Sequence, residues 1–236
     1  MRAVILAGGK GRRLTPYTRV FPKPLVPIGD MPILEVLIRQ LRANGVREVT
    51  LAIGHLGHLL RAYFGDGARL GVRIDYSEEM YPLGTVGPLA CMARPEETFL
   101  TMNGDILTTV AFGEVVRFHR QEGALATIGM YRRRTKIDLG LIVCDGGNRV
   151  VDYVEKPTHT YTVSMGVYVF EPRVIDYITP GQYLDFPDLV RRLIAAGERV
   201  LAYPFEGYWQ DLGRPDDYEQ AARDFEAMRS HFLPEE

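Results

Sequence analysis

Short unbroken apolar runs and one-sided apolar stripes follow one another along this chain, the two patterns of a sheet buried on both faces and of helices packed on it. Ala3-Val4-Ile5-Leu6-Ala7 and Val49-Thr50-Leu51-Ala52-Ile53 are runs of the first kind. Between them, Pro32 to Asn44 sets Ile33, Leu34, Leu37, Ile38 and Leu41 on one helical face, and Gly45 supplies the stop. Leu56 to Phe64 predicts a second helix and Val72 to Tyr76 a strand with alternating faces. Strand, helix, strand, helix, strand implies a parallel, doubly wound sheet built by right-handed crossovers. Ligands of such sheets sit at the carboxyl ends of the strands.

Further on, Val86 to Ala93 predicts a helix and Thr98 to Met102 a core strand ending in Asn103-Gly104-Asp105, which brings Asp105 beside the loop after the first strand. Residues 124–131, 140–144, 150–155 and 163–171 are all strand-like, with Asp145-Gly146-Gly147-Asn148 as a hairpin turn between two of them. Phe186 to Ala196 predicts an amphipathic helix, Val200 to Tyr203 a short strand, and Asp216 to Arg229 a charged terminal helix. No linker interrupts the chain, so one domain is expected, with an N-terminal part of about residues 1–110 and a second part of about 111–236.

Composition narrows the partners. Twenty-eight Lys and Arg against 30 Asp and Glu leave a net charge of −2, which argues against nucleic acid and for small molecules. Cys91 and Cys144 are too few and too isolated for a disulfide framework or a zinc site, which suits a reducing compartment, and both are expected in the core. The N-terminal apolar run is cut by Gly8 and Gly9, too short for a signal peptide or a membrane span, so a cytoplasmic location without membrane partners is expected. The five histidines show no ligand spacing, and Trp209 suits a core or a pocket wall.

The chemistry concentrates in Gly8-Gly9-Lys10-Gly11-Arg12-Arg13-Leu14, closed by Pro22-Lys23-Pro24. Three glycines directly after a strand let backbone N–H groups approach phosphate oxygens, while Arg13 and Lys23 supply fixed positive charge. That combination suits a triphosphate. A P-loop would need Gly-Lys-Ser/Thr, and the dinucleotide fingerprint would need a glycine where Leu14 stands. What remains, G-G-x-G-x-R-L-x-P followed by P-K-P, resembles the signature of the sugar-1-phosphate nucleotidyltransferases.

The resemblance runs over essentially the whole chain. It implies an α/β, Rossmann-like fold with a mixed, mostly parallel sheet flanked by helices (a GT-A-like fold), without the C-terminal β-helix of larger members. The implied reaction joins an NTP to a sugar 1-phosphate and releases pyrophosphate. Leu6, Ala7, Gly8, Gly9 and Gly11 then cradle the nucleotide, Arg13 holds the triphosphate, and Lys23 contacts the reacting phosphate, its backbone kept extended by the flanking prolines. Lys10 and Arg12 are weaker candidates for phosphate contact. Asp105 and Asp211, the latter in Tyr208-Trp209-Gln210-Asp211, are the implied ligands of a Mg2+ cofactor.

Glu79-Met80-Tyr81-Pro82-Leu83-Gly84-Thr85 resembles the base-recognition loop. Glu79 can accept from the adjacent donors of guanine, with the Gly84 backbone beside it, which favours GTP and hence mannose 1-phosphate or a related sugar. Gly140, Glu155 and Lys156 of Val154-Glu155-Lys156-Pro157, and Ser164, where many members have asparagine, match sugar-phosphate positions. The alternatives are a cytidylyl or uridylyl transferase for glucose, heptose or N-acetylmuramic acid 1-phosphate and, from another class, a non-catalytic nucleotide-sensing subunit. A homo-oligomer is compatible with all of these.

Overall fold

In β1 (Arg2–Ala7) side chains alternate between two buried faces, which makes this strand the spine of the molecule. The computed structural model describes residues 1–9, 11–14 and 17–233, with Arg12 and Tyr17 described in their backbone only. Lys10 and the side chain of Arg12 therefore lie outside the described residues. A ribbon of β2 (Pro27–Ile28) and β3 (Met31–Pro32) leads into α1 (Ile33–Ala43), β4 (Glu48–Ile53), α2 (Gly57–Phe64) and β5 (Arg73–Glu78). Next come β6 (Phe99–Asn103), β7 (Ile106–Thr108), α3 (Phe112–Glu122) and β8 (Ala126–Lys136). The hairpin of β9 (Leu141–Cys144) and β10 (Val150–Val154) precedes β11 (Thr158–Phe170). The chain then forms α4 (Phe186–Ala195), β12 (Val200–Phe205), β13 (Trp209–Asp211), α5 (Pro215–Ala227) and α6 (Arg229–Phe232).

Seven strands form one sheet in the order β12, β8, β11, β6, β1, β4, β5. Every neighbouring pair is parallel except those of β11, which runs antiparallel to both β6 and β8. The sheet is thus mixed and mostly parallel, with helices on both faces. Ala3 and Ile5 face α1, α2 and α3, packing against Leu34, Leu37, Leu41, Leu60 and Val115. Val4 faces the other way, toward Leu89, Phe170, Phe186, Leu189 and Leu193. A third cluster ties α5 and α6 to the body through Ile28, Val36, Leu107, Leu212, Phe225 and Phe232.

Four local expectations need correction. Residues 86–93 form only a 3-10 turn, Gly87–Ala90, closed by i→i−3 bonds from Leu89 N–H to Val86 O and from Cys91 N–H to Pro88 O, both at 3.0 Å. Lys23 does not continue an extended backbone but opens the 3-10 turn Lys23–Leu25, where Val26 N–H donates to Lys23 O at 3.0 Å. Both cysteines are exposed, Cys91 past the first of those turns and Cys144 on a hairpin that no second layer covers among the described residues. Finally, β11 begins at Thr158 and pairs with β8 far beyond the body, through a register shift between Ser164 and Tyr168. That shift is a bulge, with Gly166 at φ +71° packed on Asn103.

Candidate active site

The carboxyl ends of β1, β4 and β6 open into a cavity of about 830 Å³. Its lining takes in every residue that the resemblance assigned to the nucleotide: Leu6, Ala7, Gly8, Gly9, Gly11, Arg13, Lys23, Glu79, Gly84 and Asp105. Parallel pairing is the cause, since Leu6 lies level with Asn103 and Ala7 with Ile53, so three loops leave the sheet at one height. Gly104 N–H donates to Leu6 O at 3.0 Å and pins the turn that presents Asp105. Gly11, at φ +58°, turns the glycine loop back toward Thr18, whose hydroxyl donates to Gly11 O at 2.7 Å.

Lys23 is 9% exposed, unusual for a lysine, and its ammonium is paired with the Asp105 carboxylate. Asp211 comes up beside this pair because β13 lies antiparallel on β7, Asp211 level with Ile106, and Leu212 N–H donates to Asp105 O at 3.0 Å. Burial, together with the charge of Asp105, pushes the Asp211 carboxyl up, and Lys23, the Gly213 N–H and Arg13 only partly offset this. Gly213 lies where Arg13 and Asp211 meet, and a Cβ there would stand 3.1 Å from Arg13 Nη2. Two carboxylates sharing one half-neutralised site, with oxygen donors only, form a donor set that fits a small hard divalent cation. Among the described residues no set of three or more His, Cys, Asp or Glu is gathered as a fuller cage.

Across the cavity, Glu79 extends from the end of β5, level with the end of β4, its N–H bonded to Ile53 O at 2.9 Å. One carboxylate oxygen accepts from Leu83 N–H at 2.8 Å, and the other fills the space a side chain at Gly8 would take. Burial pushes this carboxyl up, against the pull of the Leu83 N–H. Gly84, at φ +80°, leaves room for Leu184 O, which would be 2.5 Å from a Cβ.

The residues matched to the sugar phosphate are not brought to this lining. Gly140, Glu155 and Lys156 belong to the exposed β9–β10 arm, where Glu155 and Lys156 form a 3.9 Å ion pair in solvent. Tyr153 covers the face of Gly140, and Lys156 holds a positive φ of 45° directly before Pro157. Ser164 sits at the bulge of β11, its hydroxyl donating to Tyr168 Oη at 3.2 Å. Conversely, His55, Asn103, Tyr183 and Asp185 line the cavity without having been singled out. His55 and Asn103 could have been found by their place at strand ends; Tyr183 and Asp185 carry no local signal. Trp209 is buried in the core and donates from its indole N–H to Met165 O at 2.8 Å.

A second cavity, of about 770 Å³, lies at the other end of the sheet, but its Arg94, Arg173 and Arg199 each already engage a carboxylate. Among the described residues no helix is long and apolar enough to cross a membrane.

A glycine-lined cavity at the carboxyl ends of parallel strands, with the buried Lys23–Asp105 pair in its lining and Asp211 beside that pair, defines an α/β fold of the kind that takes its ligands at the strand ends. The same fold occurs in HddC from Yersinia pseudotuberculosis, with a TM-score of 0.73 at 24% identity over 95% of this chain and 99% of that one. Residues 2–228 match the nucleotidyl transferase family, and the chain belongs to it. It is 35% identical to a UTP–glucose-1-phosphate uridylyltransferase of Synechocystis over 94% of its own length and 63% of the relative's. A mannose-1-phosphate guanylyltransferase of Mycobacterium tuberculosis is also 35% identical, over 94% of this chain and 64% of that protein. The chain thus spans a little under two thirds of the curated relatives it matches.

Proposed function

We propose that the protein transfers a nucleotidyl group from an NTP to a sugar 1-phosphate, giving an NDP-sugar and pyrophosphate, with GTP and mannose 1-phosphate or a related sugar as the favoured pair. The observation that carries this reading is the Lys23–Asp105 pair in the lining of a glycine-rich cavity, with the Asp211 carboxyl close enough behind it to feel both charges. The glycine loop offers N–H groups to the triphosphate, Arg13 neutralises it from the Gly213 side, and Lys23 is aimed by Asp105 at the phosphate under attack. The acceptor phosphate is anionic at neutral pH, so the chain needs no general base and acts by aligning and screening charge.

Asp105 and Asp211 would hold the divalent cation, taken here as Mg2+, which when bound supplies charge neutralisation for the triphosphate and the departing pyrophosphate. Glu79 would accept hydrogen bonds from the base, and guanine offers two adjacent donors for one carboxylate. The names of the relatives support both a guanylyl and a uridylyl reading, and Glu79 favours the first. Gly140, Glu155, Lys156 and Ser164 would meet the sugar phosphate from the arm.

Pyrophosphate release from four NTPs against a panel of sugar 1-phosphates tests this directly. Turnover is expected with GTP and mannose 1-phosphate in the presence of Mg2+. Nucleotide binding without turnover of any pair would replace the enzyme by a nucleotide sensor.

A further inference from the structure

Asp185 stands at the N-cap of α4 yet makes no side-chain bond to its own helix. That is an unusual use of a residue type whose carboxylate ordinarily accepts from the N–H groups of the first turn. Here one carboxylate oxygen instead accepts from Thr85 N–H at 3.0 Å, across a sequence separation of 100 residues, and the other accepts from Tyr183 Oη at 2.6 Å. Thr85 answers the contact, since its hydroxyl accepts from Phe186 N–H at 2.6 Å. The two segments exchange side-chain caps, each satisfying a backbone donor of the other.

Backbone bonds complete the clamp. Leu184 N–H donates to Leu83 O at 2.9 Å, and Leu184 O accepts from Val86 N–H at 3.1 Å and from Gly87 N–H at 3.2 Å. Leu83 is also the residue whose N–H fixes Glu79. A continuous path therefore runs from α4, through Leu184 and Leu83, to the carboxylate over the glycine loop. Phe186 anchors the far end, stacked on Tyr168 with ring centroids 3.8 Å apart.

We infer that Asp185 is a positioning residue that holds the 79–85 loop in its base-accepting shape and so sets which NTP the cleft prefers. This rests on the nucleotide role of Glu79 proposed above. This loop, which carries Pro82 and Gly84, has no helix or strand of its own to fix it. Removing this acceptor frees Thr85 N–H and lets Glu79 wander, which weakens the bound base without touching the phosphates.

The test uses the whole chain with Asp185→Ala, Asp185→Asn, Thr85→Val and Thr85→Ser, measuring GTP and UTP binding at equilibrium, both KM values, kcat and Tm. Asp185→Ala is expected to raise Kd and KM for GTP about tenfold, narrow the GTP to UTP preference, and leave the KM for sugar phosphate unchanged. Asp185→Asn, whose amide oxygen can still accept from Thr85 N–H, is expected to recover most of the loss. Thr85→Val should act in the same direction and Thr85→Ser should rescue it, which keeps the test open if Asp185→Ala fails to fold. Wild-type affinity and base preference in a folded, active Asp185→Ala would overturn the inference alone. If the wild-type protein binds no NTP at all, the proposed function falls and takes this inference with it.

Discussion

Two lysine–carboxylate pairs of the same chemistry sit in opposite surroundings. Lys23 and Asp105 meet with side chains 10% and 22% exposed, joined across 82 residues by the geometry of the sheet. Lys156 and Glu155 are sequence neighbours on the arm, 53% and 61% exposed. The first pair is largely buried, where charge is less screened and the side chain is already held in place. The second is screened and contributes little until a ligand brings other charges to it. Under the proposed function, the nucleotide half would be organised before substrate arrives and the acceptor half only with it.

Breaking the buried pair should have the largest effect. Lys23→Ala or Asp105→Asn is expected to lower pyrophosphate release by about a hundredfold or more, with far-UV circular dichroism unchanged. The same truncation in the open pair, Lys156→Ala, should raise the KM for sugar phosphate about tenfold and leave the affinity for NTP alone, as initial rates at varied substrate would report. Equal losses in the two variants would erase the contrast. Stability should divide along the same line: Ile5→Ala, in the packed core, is expected to cost about 2–5 kcal/mol in urea unfolding. Val151→Thr, on the exposed hairpin, should stay within about 0.5 kcal/mol.

Glu35 sharpens the comparison at low pH. Burial pushes its carboxyl up, but hydrogen bonds from Arg39, Arg69 and Tyr63 outweigh this and hold it below the usual value of 4.5. A depressed carboxylate binds its proton more readily in the unfolded chain, so its stabilisation is present above 4.5 and is lost as pH falls through the folded value. Glu35→Gln should therefore flatten the acid limb of the Tm profile while turnover at pH 7 is kept. An unchanged acid limb would remove Glu35 from this role.

Much of the cleft was legible because its residues follow apolar runs directly. Gly8, Glu79 and Asp105 each stand within two residues of a strand end, so placing β1, β5 and β6 places them as well. What stayed hidden depended on partners far away in sequence. Asp185 gives no sign of reaching Thr85, and the antiparallel insertion of β11 cannot be told from parallel pairing by periodicity. α3 carries a local signal as well: Phe112, Val115, Val116 and His119 repeat at helical spacing, and Gly123 closes the helix at φ +59°. Cys144 shows the opposite case, where apolar composition suggested burial and the lack of a covering layer among the described residues left it in solvent.

The bulge of β11 carries a consequence for how the two halves vary. From Tyr168 to Phe170 the strand is gripped on both sides by β6 and β8, whereas outward from Ser164 β8 is its only described partner. The irregularity would serve as an expansion joint: a one-residue insertion in the arm is expected to be absorbed there, leaving Val167 and Val169 in the core. Under the proposed function, acceptor recognition could then be rewritten in the arm while Asn103, packed on Gly166, keeps Asp105 on its footing.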